Sequence, residues 1–138
     1  MKAALRLLEA VGLAGIDSPD GTGDLVVDAT ALDTGHRRRG IGRYVGGLTR
    51  GLSQMRGATR LRDQLTSLRL STPSRGTSSD IDTGLTECNL RRPTAEHRLR
   101  WLVNEAVLAS ELDDRDVQLY HSTEPWSVPT SSAFATVW

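Results

Sequence analysis

The residues of this chain with the types and spacing to do chemistry gather at two places. At the first, Leu25-Val26-Val27-Asp28-Ala29 reads as an apolar strand, followed by a polar loop and then Gly40-Ile41-Gly42-Arg43-Tyr44 at the head of an amphipathic helix. A strand, glycine loop and helix in this order present free backbone N–H groups and the positive end of a helix dipole to a phosphate or sugar. At the second, His121 closes the apolar stretch Val117-Gln118-Leu119-Tyr120, with Ser122, Thr123 and Glu124 as neighbours for its ring.

Several readings of these residues stay open. A dinucleotide fingerprint wants glycine at position 45, where this chain has Val45, and the turn from Thr30 to Arg39 is long for that motif. No Gly-Lys-Ser or Gly-Lys-Thr follows to make a nucleoside-triphosphate loop. Gly40 and Gly42 also fit a purely structural role at a helix start. Arg37-Arg38-Arg39 reads as a solvated basic turn, and His121 as either a ligand-facing or a hydrogen-bonded structural histidine. The single cysteine, Cys88, has no histidine nearby in sequence and reads as inert; it excludes an intrachain disulfide and a cysteine-rich metal site.

The elements that must position these groups follow from periodicity. Ile41, Tyr44, Val45, Leu48, Leu52 and Met55 share one face of the first helix. Gly46, Gly47 and Gly51 each cost that helix about 1 kcal/mol relative to alanine, which suggests close packing on the sheet. Leu65–Leu70 is a second strand, and Ser71–Thr86, rich in Ser, Thr, Gly and Asp, is a mobile loop. A long helix follows Pro93, with Thr94 as N-cap, Glu96 in the first turn, and Leu99, Leu102, Val103, Ala106 and Ala109 as its buried stripe, ending near Asp113-Asp114. Strands are expected at 117–121 and 133–138.

Residues 1–23 read as an extension and linker. Met1–Ile16 is a short helix in which Arg6 and Glu9 interrupt any signal-peptide centre, and Asp17-Ser18-Pro19-Asp20-Gly21-Thr22-Gly23 breaks it. Residues 24–138 then form the folded unit. Strands alternating with helices imply an α/β fold, an open, doubly wound, mostly parallel Rossmann-like sheet. Ligands on such sheets bind outside the carboxyl ends of the strands.

Composition bounds the partners. The chain has 138 residues, 17 basic and 17 acidic, so no net field draws it to nucleic acid. Only Lys2 among the basic residues is lysine, which reads as a bias of genomic base composition. No run reaches the roughly 20 apolar residues of a spanning helix, and the default location is cytoplasmic, with peripheral membrane contact left open.

Val26-Val27-Asp28-Ala29, then Arg39-Gly40-Ile41-Gly42-Arg43-Tyr44 leading into Val45-Gly46-Gly47-Leu48, resembles the start of glycosyltransferase family 4 enzymes. The stretch Arg98-Leu99-Arg100-Trp101-Leu102, followed by Asp116-Val117-Gln118-Leu119-Tyr120-His121-Ser122 and a proline-bearing loop, resembles a later helix and strand end of that family. The resemblance covers roughly Leu25 to Val137, with the middle unaligned.

The resemblance implies the N-terminal, acceptor-side domain of a GT-B enzyme, two Rossmann-like domains facing across a cleft. Gly40 and Gly42 would lie at that cleft near the donor diphosphate or the acceptor, Arg43 and Tyr44 would flank them, and His121 would line the acceptor side. The implied parent activity is retaining transfer of a hexose, such as mannose, from a nucleotide-sugar to a glycan or lipid acceptor, with no metal and no further cofactor. Where family members continue the last strand into Thr-x-His-Asp, this sequence has Thr136-Val137-Trp138, and the second domain with its Glu-x7-Glu motif is not represented. The expectation is therefore an incomplete domain, inactive by itself, with no catalytic residue of its own assigned. Phe134 and Trp138 are expected to be partly exposed, and the chain to self-associate through its uncovered strand. The alternative is a small non-catalytic α/β module that binds a nucleotide or phosphate.

Overall fold

In a computed structural model, the described residues are 15–17, 25–55, 64–71, 81–91, 100–123, 129 and 134–137. Six strands form one sheet: β1 (Gly15–Asp17), β2 (Leu25–Asp28), β3 (Leu65–Leu70), β4 (Thr86–Arg91), β5 (Leu119–His121) and β6 (Ala135–Val137). Two helices, α1 (Gly40–Ser53) and α2 (Arg100–Asp114), and two single-turn 3-10 segments, Thr30–Asp33 and Gly35–Arg38, complete the described elements.

The strand order is β1-β4-β3-β2-β5-β6. From β4 to β6 all neighbours are parallel, and only β1 pairs antiparallel, on the outer edge of β4. The chain thus starts its parallel sheet at β2, builds outward through β3 and β4, and returns to add β5 and β6 on the other side. The direction of winding reverses between β2 and β5, which makes the gap beyond their carboxyl ends the topological switch point. This is the α/β Rossmann-like sheet expected from alternating strands and helices.

Strand alternation sends side chains to two covered faces. Val26, Leu68, Cys88, Leu90, Tyr120 and Phe134 pack with Leu108 and Leu112 of α2 and with Val117. Val27, Leu65 and Leu85 meet Leu25 and, from α1, Leu48 and Leu52 on the opposite face. In β3 even Thr66, Ser67 and Arg69 are buried, as a central strand covered on both sides requires.

The structure corrects the sequence reading at several points. Ser71–Thr86 does not lead directly to the long helix: β4 follows it and pairs along β3, with Cys88 and Leu90 buried in the core. The end of the expected N-terminal helix is instead β1, and residues 1–14 lie outside the described part. On α1 the buried positions are Gly42, Val45 and Thr49, whereas Tyr44 is exposed, and Met55 lies exposed beyond the helix end. A Cβ at Gly47 or Gly51 would meet nothing within 4 Å, so close packing does not explain those glycines. On α2 the buried stripe is Val107, Leu108 and Leu112, with Ala106 and Ala109 only half-buried. The last strand is shorter than expected, and Phe134 is buried, at 6% exposure. Thr94, Glu96, Leu99 and Trp138 fall outside the described residues, as do the side chains of Leu102 and Val103.

Candidate functional site

The carboxyl ends of β2 and β5 lie side by side, with Val27 in register with His121. Both side chains therefore sit on the face that α1 covers. The chain leaves β2 through Asp28, whose buried carboxylate accepts from the Thr30 N–H at 3.0 Å and the Thr30 hydroxyl at 2.6 Å. Such an Asx turn bends the backbone sharply off the sheet. Thr123, just past β5, donates its hydroxyl to the Asp28 carbonyl at 3.1 Å, tying the two strand exits together.

Two 3-10 turns then carry the chain to α1. Thr34 links them: its hydroxyl donates to the Ala31 carbonyl and accepts from the His36 N–H. Arg39 is the N-cap in extended backbone and offers no side-chain cap. The first helical N–H groups of α1, at Gly40, Ile41 and Gly42, lack intrahelical acceptors by the geometry of any helix start.

One turn into α1, Tyr44 projects toward β5. Its hydroxyl lies 3.0 Å from Nε2 of His121, and the two rings stand 6.1 Å apart at 53°. Tyr44 is 52% exposed and His121 half-buried, so the pair faces solvent at the switch point. The imidazole also borders a small apolar recess of about 220 Å³ floored by Leu25, Val27 and Leu119 and walled by Leu48, Leu52 and Val137. An apolar floor with one convergent polar pair suits a ligand that has a nonpolar face and a hydroxyl rim.

The other expected site residues fall differently. Gly42 is buried, and a Cβ there would collide with the Arg37 backbone carbonyl. Its lack of a side chain is what lets the 3-10 turn dock on α1. Arg43 points away from His121 into a groove on the opposite flank of α1, and Gly40 is exposed, with nothing within 4 Å of a would-be Cβ. Tyr44 and His121 are thus brought together, Gly42 and Arg43 border a separate groove, and Gly40 stands at the helix start between them.

An ion network built on the buried Asp33–Arg69 pair and reaching the exposed Glu87 follows the first 3-10 turn, and sequence reading missed it. Arg69 donates from Nε and Nη2 to both carboxylate oxygens of Asp33, at 2.9 and 2.6 Å, and from Nη1 to Glu87 at 3.0 Å and to the Ile81 carbonyl at 2.7 Å. Asp33 Oδ2 also accepts from the Leu70 N–H at 2.8 Å. Burial works to lower the Arg69 pKa, but hydrogen bonding and charge from Asp33, then Glu87, outweigh it and hold the guanidinium above its ordinary value. The only signal in the sequence was an arginine in an otherwise apolar-alternating strand. Burial pushes the Cys88 thiol up to about 12, with Arg115 opposing only in part, which keeps it protonated and unreactive.

Among the described residues no group of three His, Cys, Asp or Glu side chains is placed to hold a metal ion. No helix of the described residues is long and apolar enough to cross a membrane. No family model, curated protein sequence or solved structure matches this chain.

Proposed function

We propose that this chain is the acceptor-side Rossmann-like domain of a retaining hexosyltransferase similar to glycosyltransferase family 4. The observation that carries the reading is the Tyr44–His121 hydrogen bond at the switch point between β2 and β5. It joins the two segments on which the sequence resemblance rests. Supporting it are the free N–H groups at the start of α1, one helical turn from the pair.

In this reading the acceptor sugar lies over the apolar recess with one hydroxyl held by His121 and Tyr44. In the Nε2–H tautomer His121 donates to the Tyr44 oxygen and fixes the phenol, and the Tyr44 hydroxyl donates to the acceptor oxygen, which leaves the acceptor's own proton turned toward the donor diphosphate. As the bond from the anomeric carbon to the leaving phosphate oxygen breaks, the acceptor oxygen bonds to that carbon on the same face, and the hydroxyl proton passes to the departing diphosphate. Negative charge growing on the diphosphate faces the N-terminus of α1. Holding the two reactants in this geometry is the main contribution asked of the domain. A donor-side domain supplies the nucleotide pocket.

The test joins this chain to the donor-side domain of a family 4 enzyme and measures hexose transfer from nucleotide-sugars to glycan and lipid acceptors. Transfer by the joined protein and none by the 138-residue chain is expected. Binding of a nucleotide-sugar by the chain alone, with no transfer after joining, would instead support the non-catalytic module.

A further inference from the structure

We propose that the flank of α1 turned away from His121 is a binding groove for an oligophosphate, a ligand carrying at least two linked phosphates. The inference does not rest on the transferase reading.

The groove has a volume of about 720 Å³, within the range of small-molecule sites. Its floor is the Gly46-Gly47 step of α1, and Arg43 and Arg50 stand at either end of that step, two helical turns apart, with Arg37 and Arg38 at the mouth. Arg38, Arg43 and Arg50 are exposed, and none of the three has an ion-pair partner among the described residues. Asp82 is the one acidic residue in the described lining. A chain of zero formal net charge thus concentrates arginine in one concavity. A nucleic acid would need a basic track longer than this groove provides.

Two further features mark a built site. Glycine inside a helix is destabilising, yet Gly47 has open space where a Cβ would stand and Gly46 only an ordinary contact with Leu32. What the two glycines do provide is a flat backbone ledge between two arginines, on which a phosphate chain can lie within reach of both guanidinium forks. The facing wall, Ile81–Gly84, is hydrogen-bonded to β3 and within itself. Arg69 donates to the Ile81 carbonyl, the Thr83 hydroxyl pairs with Ser67 at 2.9 Å, and Asp82 Oδ1 accepts from the Gly84 N–H at 2.7 Å. Gly84, at φ +70°, sits so close to Ser53 of α1 that a side chain would not fit. The buried Asp33–Arg69 pair, extended to the exposed Glu87, therefore ties the wall of the groove to the sheet.

Calorimetric titration of the 138-residue chain with inorganic pyrophosphate, orthophosphate and nucleoside diphosphates tests this. Pyrophosphate is expected to bind at least about tenfold more tightly than orthophosphate, because two linked anions engage both arginine forks. The double variant Arg38→Gln/Arg50→Gln is expected to weaken pyrophosphate by about tenfold or more. Gly47→Leu, which fills the ledge with a better helix former, is expected to lose binding while thermal stability holds or rises. A nucleoside diphosphate binding more tightly than pyrophosphate assigns a nucleotide as the source of the phosphates, and equal binding assigns the phosphate chain alone. Pyrophosphate bound no more tightly than orthophosphate, or wild-type affinity in either variant, overturns the proposal.

Discussion

The Tyr44 hydroxyl and Nε2 of His121 lie 3.0 Å apart although the residues are 77 positions apart in sequence. They meet because β2 and β5 are parallel neighbours and α1 returns across the face they share. A strand exit and a helix first turn are joined by one hydrogen bond at the point where the sheet reverses its winding. The arrangement gives a ligand two polar groups on a scaffold fixed by the central strands.

Gly42→Val is expected to lower stability by about 1–3 kcal/mol, because the new side chain must displace the Arg37 backbone. Denaturant unfolding of the purified variant measures it. The sequence left Gly42 open between ligand approach and a structural role at the helix start; loss of stability on Gly42→Val supports the structural role, and a stable, normally folded variant would favour ligand approach.

Arg69→Leu leaves the Asp33 carboxylate, only 1% exposed, without its strongest partner. Loss of one member of such a buried pair costs about 3–5 kcal/mol, and a drop in unfolding midpoint of corresponding size is the expected outcome. The double change Asp33→Asn/Arg69→Leu is expected to recover part of that loss, since no buried charge remains.

How much of this could be read from the sequence depended on whether a residue's own type decided its place. The parallel α/β sheet was legible because β2, β3 and the end of α2 carry strong periodicity, and His121 was legible as a strand-end residue beside a glycine loop. β4 was not, because Thr86-Glu87-Cys88-Asn89-Leu90-Arg91 has only two apolar residues and takes its strand form from pairing with β3. Tyr44 was placed on the buried stripe of α1 because helical spacing cannot tell a core-facing aromatic from one at the stripe's edge that reaches a distant strand. The arginine groove was invisible for a different reason: a spacing of seven puts Arg43 and Arg50 on one flank of the expected helix, but the wall opposite comes from residues 81–84, which no local pattern brings to that helix.

Stability should fall at alkaline pH on account of Cys88. Burial raises its thiol from an ordinary value of 9.0 to about 12, so above pH 9 the unfolded chain loses a proton that the folded chain keeps. The folded state is then weakened by about 1.4 kcal/mol per pH unit between 9 and 12, and the contribution is fully present only below pH 9. Cys88→Ala should show a shallower decline over that window in pH-dependent urea unfolding. Parallel slopes for the two proteins would show that other groups control the alkaline limb.

Among the described residues β6 is one edge of the sheet, and Val137 on it is 41% exposed. An open strand edge beside an apolar recess favours pairing with a second copy. Sedimentation is expected to show concentration-dependent association of the chain, and Val137→Lys to reduce it; a stable monomer at high concentration would contradict this.

In the proposed transfer the Tyr44–His121 pair holds the acceptor hydroxyl. The transfer rate of this chain joined to a family 4 donor-side domain, compared between wild type and His121→Ala, tests this. Loss of positioning at the reacting hydroxyl predicts a fall of about 100-fold in kcat/KM, with Asp114→Asn, exposed at the end of α2 and lining neither the recess nor the arginine groove, retaining the wild-type rate. Equal rates for wild type and His121→Ala, or no transfer by the joined wild-type protein, would contradict the account.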